Sequence, residues 1–266
     1  MATGEQNGSL FFENKAGCFL RNFLLRRSEM DTVMRYGVGL LLFFFSAVSL
    51  AGGHEPPPRM PAPADEPLLA APVVKLIEPG VFDVEGCRID KKKKQVSFPA
   101  QVNMDQAGQF LEYMLVENSG KLHESLLRTK ISPYAIQISL LLLGVEGSLN
   151  PLVEQGEDRI PEGTPISISV SWQDQGTTKT VSLHEWVVRE KKPAPNIPWV
   201  FTGSYIHDNG MFMAQMDKSI IAIYHDPAAI IDHQLSEGAS DEIWFVNTDK
   251  VPSAGTEVTV AIQALK

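Results

Sequence analysis

Between residues 54 and 72 the chain carries seven prolines, at 56, 57, 58, 61, 63, 67 and 72, with alanine and acidic residues among those filling the gaps. Proline lacks an amide donor and fixes φ, so a stretch this dense joins neither a sheet nor a helix interior. It predicts an extended spacer over 52–72. What folds must therefore be built from the 194 residues Val73 to Lys266, enough for one substantial core. Lys191-Lys192-Pro193-Ala194-Pro195-Asn196-Ile197-Pro198 is too short for a second spacer and reads as a surface connection within a single domain over 73–266.

Ahead of the spacer lie 17 residues without a charge, Gly37 to Gly53, centred on Leu40-Leu41-Leu42-Phe43-Phe44-Phe45 and preceded by Arg35. Ser49-Leu50-Ala51 puts small residues at positions −3 and −1 of a cut after Ala51. A positive end, an apolar run and a small-x-small site make the pattern of a secretory signal. The run is at the short end for a membrane span. The expectation is an N-terminal extension and signal peptide over 1–51, with the start at Met30 or Met34 because such signals have short leading regions. Export to the periplasm or cell envelope follows. Membrane contact is expected only if the segment stays uncleaved and anchors the chain.

Charge and cysteine usage remove several function classes. Lys and Arg number 23 against 32 Asp and Glu, a net −9, and no basic block exceeds four residues. Nucleic acid is therefore not an expected partner. Two cysteines exclude a disulfide-dense framework and any all-cysteine zinc or iron–sulfur site. Cys18 is lost with the signal, and Cys87 is expected as a small buried hydrophobe. The sequence implies no cofactor. It also contains no Gly-x-Ser-x-Gly elbow and no P-loop.

Within the domain the patterning is mostly β. Cys87–Asp90 and Gln95–Val102 read as strands around the turn Lys91–Lys94. Phe110–Val116 and Leu122–Arg128 read as a hairpin about Asn118-Ser119-Gly120-Lys121. Ser132 caps a helix with Pro133 in its first turn, Ile138, Leu141 and Leu142 at helical spacing, and Gly144 as terminator. Ile166, Ile168, Val170 and Trp172 alternate with serines, a half-buried strand. Thr178–His184 returns from it. Trp199–Tyr205, Met211–Ala214 and Ser219–Tyr224 follow as strands. Asp226-Pro227 then repeats the cap-and-proline signature of a short helix, and Ile243–Val246 and Glu257–Ala264 close the chain. The fold class expected is α+β, a mostly antiparallel sheet with two short packed helices.

Several segments, taken in order, resemble a known family. Glu112-Tyr113-Met114-Leu115-Val116 runs into Lys121-Leu122-His123-Glu124-Ser125-Leu126-Leu127. Ser132-Pro133-Tyr134 then precedes Leu140-Leu141-Leu142-Leu143-Gly144. Gly203-Ser204, Asp226-Pro227-Ala228-Ala229-Ile230 and Pro252-Ser253-Ala254-Gly255-Thr256-Glu257-Val258 come later. This order resembles the YdjY-like domain proteins over roughly 73–266. The resemblance implies an exported bacterial protein without established activity, and it supplies no catalytic residues. Some relatives are linked to ferredoxin-type proteins, but this chain lacks the cysteine clusters of such a role.

On a strand, Lys121, His123 and Ser125 would share one face and display a cation, a titratable ring and a hydroxyl side by side. They are the ligand-binding candidates. Glu124 would point the other way, paired with Arg128. His123, His207 and His225 are the candidates for a metal site, although His225 and His233, eight apart, do not match an established zinc spacing. Trp172, Trp186, Trp199 and Trp244, with Tyr205, either line a glycan groove or pack in the core. The leading functional expectation is a non-catalytic binding or structural domain of the cell envelope, with an envelope protein or polymer as partner. The alternative is a metal-binding or metal-dependent envelope protein using the domain histidines.

Overall fold

A computed structural model describes residues 71–190 and 192–265; the expected signal segment and all but the last two residues of the expected spacer lie outside them. Three long strands set the frame. In β4 (Gln95–Val102) Val96, Phe98, Ala100 and Val102 are buried, in β7 (Thr164–Asp174) Ile166, Ile168 and Val170, and in β15 (Glu257–Ala264) Val258, Val260 and Ile262. β15 runs antiparallel between the other two, so that Val260 lies opposite Phe98 on one side and Val170 on the other. The three alternations are thereby in register and face one core. A slip of a single residue would turn the whole apolar row outward.

The remaining strands close this frame. β11 (Trp199–Phe201) pairs with the start of β7. Beside it come β13 (Ile231–His233), β12 (Ser219–Ala222), β5 (Tyr113–Glu117) and β6 (Ser125–Thr129). β6 then pairs back onto β4, with Gln101 opposite Arg128 and Val102 opposite Leu127. The path β4-β15-β7-β11-β13-β12-β5-β6 returns to its start and forms a closed ring, so that none of these eight strands is left as a free edge. β1 (Val74–Glu78), β2 (Val81–Val84) and β3 (Cys87–Asp90) extend it as a ladder from β4, and β8 (Thr177–Ser182) folds back on β7. A separate small sheet joins β9 (Val187–Arg189), β10 (Lys192–Pro193) and β14 (Trp244–Val246).

The helix α1 (Pro133–Leu143) forms as the sequence predicts. Ser132 Oγ accepts a hydrogen bond from the Ala135 N–H at 3.1 Å, and Gly144 ends the helix in the left-handed region at φ 92°. Its buried side chains join the ring strands and the small sheet in one apolar core, and Cys87 lies fully buried in it. Burial pushes the Cys87 thiol up to about 12. Among the described residues the fold is thus mixed α+β, mostly antiparallel, with two short helices. Among the described residues no helix is long and apolar enough to cross a membrane.

Three local expectations are corrected. The second helix is α2 (Met213–Asp217), in part of the segment expected to return as a strand. Asp226-Pro227 instead opens a turn: Asp226 Oδ1 accepts from the Ala228 N–H at 2.8 Å, and the chain enters β13 four residues after Pro227. A proline-initiated turn and a proline-initiated helix begin with the same cap chemistry, and here strand pairing of Ile231 with Ile221 takes the following residues. The expected hairpin of β5 and β6 is a parallel pair, with Tyr113 beside Ser125 and Leu115 beside Leu127. Both strands are almost wholly buried, as parallel strands commonly are. The connection doubles back through a 3-10 turn at Leu122–Glu124 before β6 begins.

Candidate functional site

Two parallel neighbours, β12 and β13, are joined by residues 223–230. His225 lies in that connection, and Asp232 and His233 lie on β13. All three are fully buried. One ligand atom from each falls within 4.8 Å of the others, the one such group of His, Cys, Asp or Glu among the described residues.

Each nitrogen of the two imidazoles has a determinable role. His225 Nδ1 lies 3.0 Å from the Glu157 carbonyl oxygen. A carbonyl only accepts, so Nδ1 carries the proton there. His225 Nε2 is left buried with no hydrogen-bond partner, 3.8 Å from Asp232 Oδ1. His233 is already satisfied: Nδ1 accepts from the Leu235 N–H at 3.1 Å, and Nε2 donates to the Ile223 carbonyl at 2.8 Å. Trp199 and Trp244 pack edge-on to its ring at 5.8 and 6.1 Å between centroids. Burial in that apolar setting keeps His233 neutral, its pKa pushed down to about 4.

Asp232 accepts from two backbone amides, His233 N–H at 2.7 Å and Asp226 N–H at 3.1 Å. Those bonds favour the carboxylate, but complete burial dominates and raises its pKa above the ordinary aspartate range. The neighbouring Asp226 accepts from the Tyr113 hydroxyl at 2.8 Å, and Tyr113 in turn accepts from Lys121 Nζ at 2.8 Å. The Tyr113 hydroxyl is held neutral, chiefly by its burial and then by the Asp226 charge. A polar line thus runs from Lys121 near the surface to the buried His225–Asp232 pair. On the far side, the turn Ser236–Ala239 presents Gly238 against the His225 ring. A Cβ at Gly238 would overlap the imidazole, so only glycine fits.

The residues singled out from the sequence separate. Lys121 turns inward to Tyr113. His123 is 80% exposed and sits 3.2 Å from Glu124. Ser125 is buried, its hydroxyl donating to the Lys121 carbonyl at 2.6 Å. The common face expected for Lys121, His123 and Ser125 does not exist, because residues 122–124 form a 3-10 turn and the two-residue alternation starts only at Ser125. Glu124 pairs with Lys121 and His123, while Arg128 donates to Gln101 Oε1 at 2.9 Å. Of His123, His207 and His225, only His225 joins the cluster. His207 stands in an exposed turn closed by its N–H to the Met211 carbonyl at 2.9 Å. Trp186, Trp199 and Trp244 pack in the core, and Trp172 meets Trp186 edge-on. Asp232 and His233 are not among the sequence candidates. Their signal was available, an acid and an imidazole in line after Ala228-Ala229-Ile230-Ile231, where burial is expected.

No curated protein and no solved structure shows detectable similarity to this sequence. The sequence model of the YdjY domain matches residues 87–263, which span the strands from β3 to β15, helix α1 and the His225–Asp232–His233 cluster. With well over half of its length in that match, the chain belongs to the YdjY domain family.

Proposed function

We propose that this protein is a metal-binding domain of the cell envelope, holding one divalent transition metal at His225 and Asp232, with His233 as a third donor. The observation that carries the reading is the fully buried His225 Nε2, which has no partner and faces Asp232 Oδ1 at 3.8 Å. With Nδ1 bonded to the Glu157 carbonyl, the unpartnered Nε2 faces the buried Asp232 carboxyl group. Two acceptors buried face to face are costly. A cation between them relieves the cost. Zinc bonds of about 2.0–2.1 Å to nitrogen and about 2.0–2.2 Å to oxygen let one ion reach both atoms at that separation. The Nδ1–H bond to a carbonyl is also the usual outer support of a metal-bound imidazole.

His233 becomes a ligand by giving up its Nδ1 bond to Leu235. A cavity of about 10 Å³ bordering Asp226 and Asp232 has room for about one water beside the site. Placement in the envelope rests on the charged end, apolar run and small-x-small site before the proline-rich stretch. Fractionation with N-terminal sequencing tests that placement, and recovery of an uncut cytoplasmic chain would refute it.

Elemental analysis and zinc titration of untagged protein test the metal reading. Wild type is expected to hold about one equivalent, and His225→Ala and Asp232→Asn are expected to lose it. Less than about 0.1 equivalent after soaking with zinc, nickel or copper would mean that a proton, not a metal, lies between the two side chains.

A further inference from the structure

We propose that residues 148–162 form a lid whose opening controls passage of the metal to and from His225 and Asp232. This inference rests on the metal reading above. The connection from α1 to β7 covers residues 144–163 and contains no helix or strand. Connections of that length without regular structure are uncommon in a compact domain unless they carry a function.

This one covers the site directly. The Glu157 carbonyl receives His225 Nδ1–H, and the Gly156 N–H donates to the His225 carbonyl at 2.8 Å. Gln155 Nε2 reaches Tyr113 Oη at 3.3 Å and Glu112 Oε2 at 3.1 Å. Gln234 Nε2 donates to the Pro161 carbonyl at 3.2 Å. The small cavity lies along the seam, with Pro151, Leu152 and Pro161 on the loop side and Asp226 and Asp232 on the other. A gap at that place is where an ion would pass once the loop lifts.

The loop is built to move as one piece. Arg159 clamps its two arms together, donating to the Asn150 carbonyl at 2.9 Å, the Pro151 carbonyl at 2.7 Å and Glu157 Oε1 at 2.7 Å. The other Glu157 oxygen accepts from the Val153 N–H at 2.6 Å. Its attachment to the body is mostly polar. Leu152 is buried, but Leu149 and Val153 are 88% and 84% exposed. Its far end is fixed, because Gly163 lies so close to the Phe201 carbonyl that no Cβ fits. Its near end is fixed too, by the Ser148 N–H donating to the Thr202 carbonyl at 2.7 Å. A self-bonded segment hinged at both ends and held by few apolar anchors opens more readily than the strands beneath it.

Lifting the lid has two coupled effects. It opens the path along the seam, and it removes the carbonyl that holds His225 Nδ1 protonated and Nε2 ready to bind. Uptake and release should then both be limited by the same opening.

Release of zinc from loaded full-length protein to a coloured chelator, followed by stopped flow, tests this. Arg159→Ala and Glu157→Ala each break the clamp without touching the metal donors. Each is expected to speed release and uptake at least about tenfold, the factor that corresponds to one lost charge-assisted bond. Equal rates in a wild type that does bind zinc would overturn the lid and leave the metal site standing. Deuterium exchange at the His225 ring carbon in metal-free protein gives a second readout independent of zinc. It is expected to be slow in wild type and faster in both variants, with circular dichroism unchanged. Unchanged ring exchange would also overturn the lid. Failure of the wild type to bind zinc at all would instead remove the metal site, and the gating role with it.

Discussion

Individual side chains in the interior owe their state to what surrounds them more than to their type. His225 and His233 sit with ring centroids 5.0 Å apart, yet one ends with an unpartnered nitrogen and the other with none. The difference lies in two backbone groups, the Ile223 carbonyl and the Leu235 N–H, that reach His233 alone. Gly238 makes the tight wall against His225 possible. Gly238→Ala is expected to destabilise the domain by about 1–3 kcal/mol through overpacking, with zinc binding weakened as well. Urea denaturation would read it, and an unchanged midpoint would mean the turn gives way freely. Cys87, with its pKa pushed up to about 12, stays a thiol at pH 8. A disulfide reagent should leave it unmodified in the native protein and react fully in urea. Rapid native labelling would show that the core opens around it. His123→Ala, at an exposed ring, should move stability by no more than about 0.5 kcal/mol.

Elements gain or lose their expected form where local and distant bonding compete. The α1 helix carries its own start and stop, so Ser132→Ala should cost about 1 kcal/mol, measurable by thermal melting. A neutral result would mean that packing alone places the helix. The segment 122–124 has no comparable local instruction. Asn103 Nδ2 donates to both the Leu122 and Ser125 carbonyls at 2.7 Å and holds the turn from another part of the chain. That distant contact scatters Lys121, His123 and Ser125. The same competition explains the turn after Asp226, where pairing with β12 prevails over a helix start.

Across the whole molecule, stability should follow the ring. β4, β15 and β7 are the longest paired strands and carry the aligned apolar rows, whereas residues 148–162 have only Leu152 and Pro161 as buried apolar anchors. Native-state amide exchange is therefore expected to be slowest in those three strands and fastest in the loop, by several orders of magnitude. A loop as protected as β15 would contradict both this ranking and the proposed lid.

Local patterns in the chain are enough to specify the strands β3, β4, β7 and β15, the capped helix α1 and the burial of Cys87. These depend on alternation and cap chemistry within about ten residues, so neighbouring side chains suffice to specify them. The closure of β6 onto β4, the parallel pairing of β5 with β6, and the meeting of His225 with Asp232 arise only from long-range packing. Parallel neighbours need a chain reversal whose direction no local pattern records, and a buried cluster depends on which strands become neighbours. The sequence names the histidines, but only the ring places one of them, with no partner, against a carboxylate.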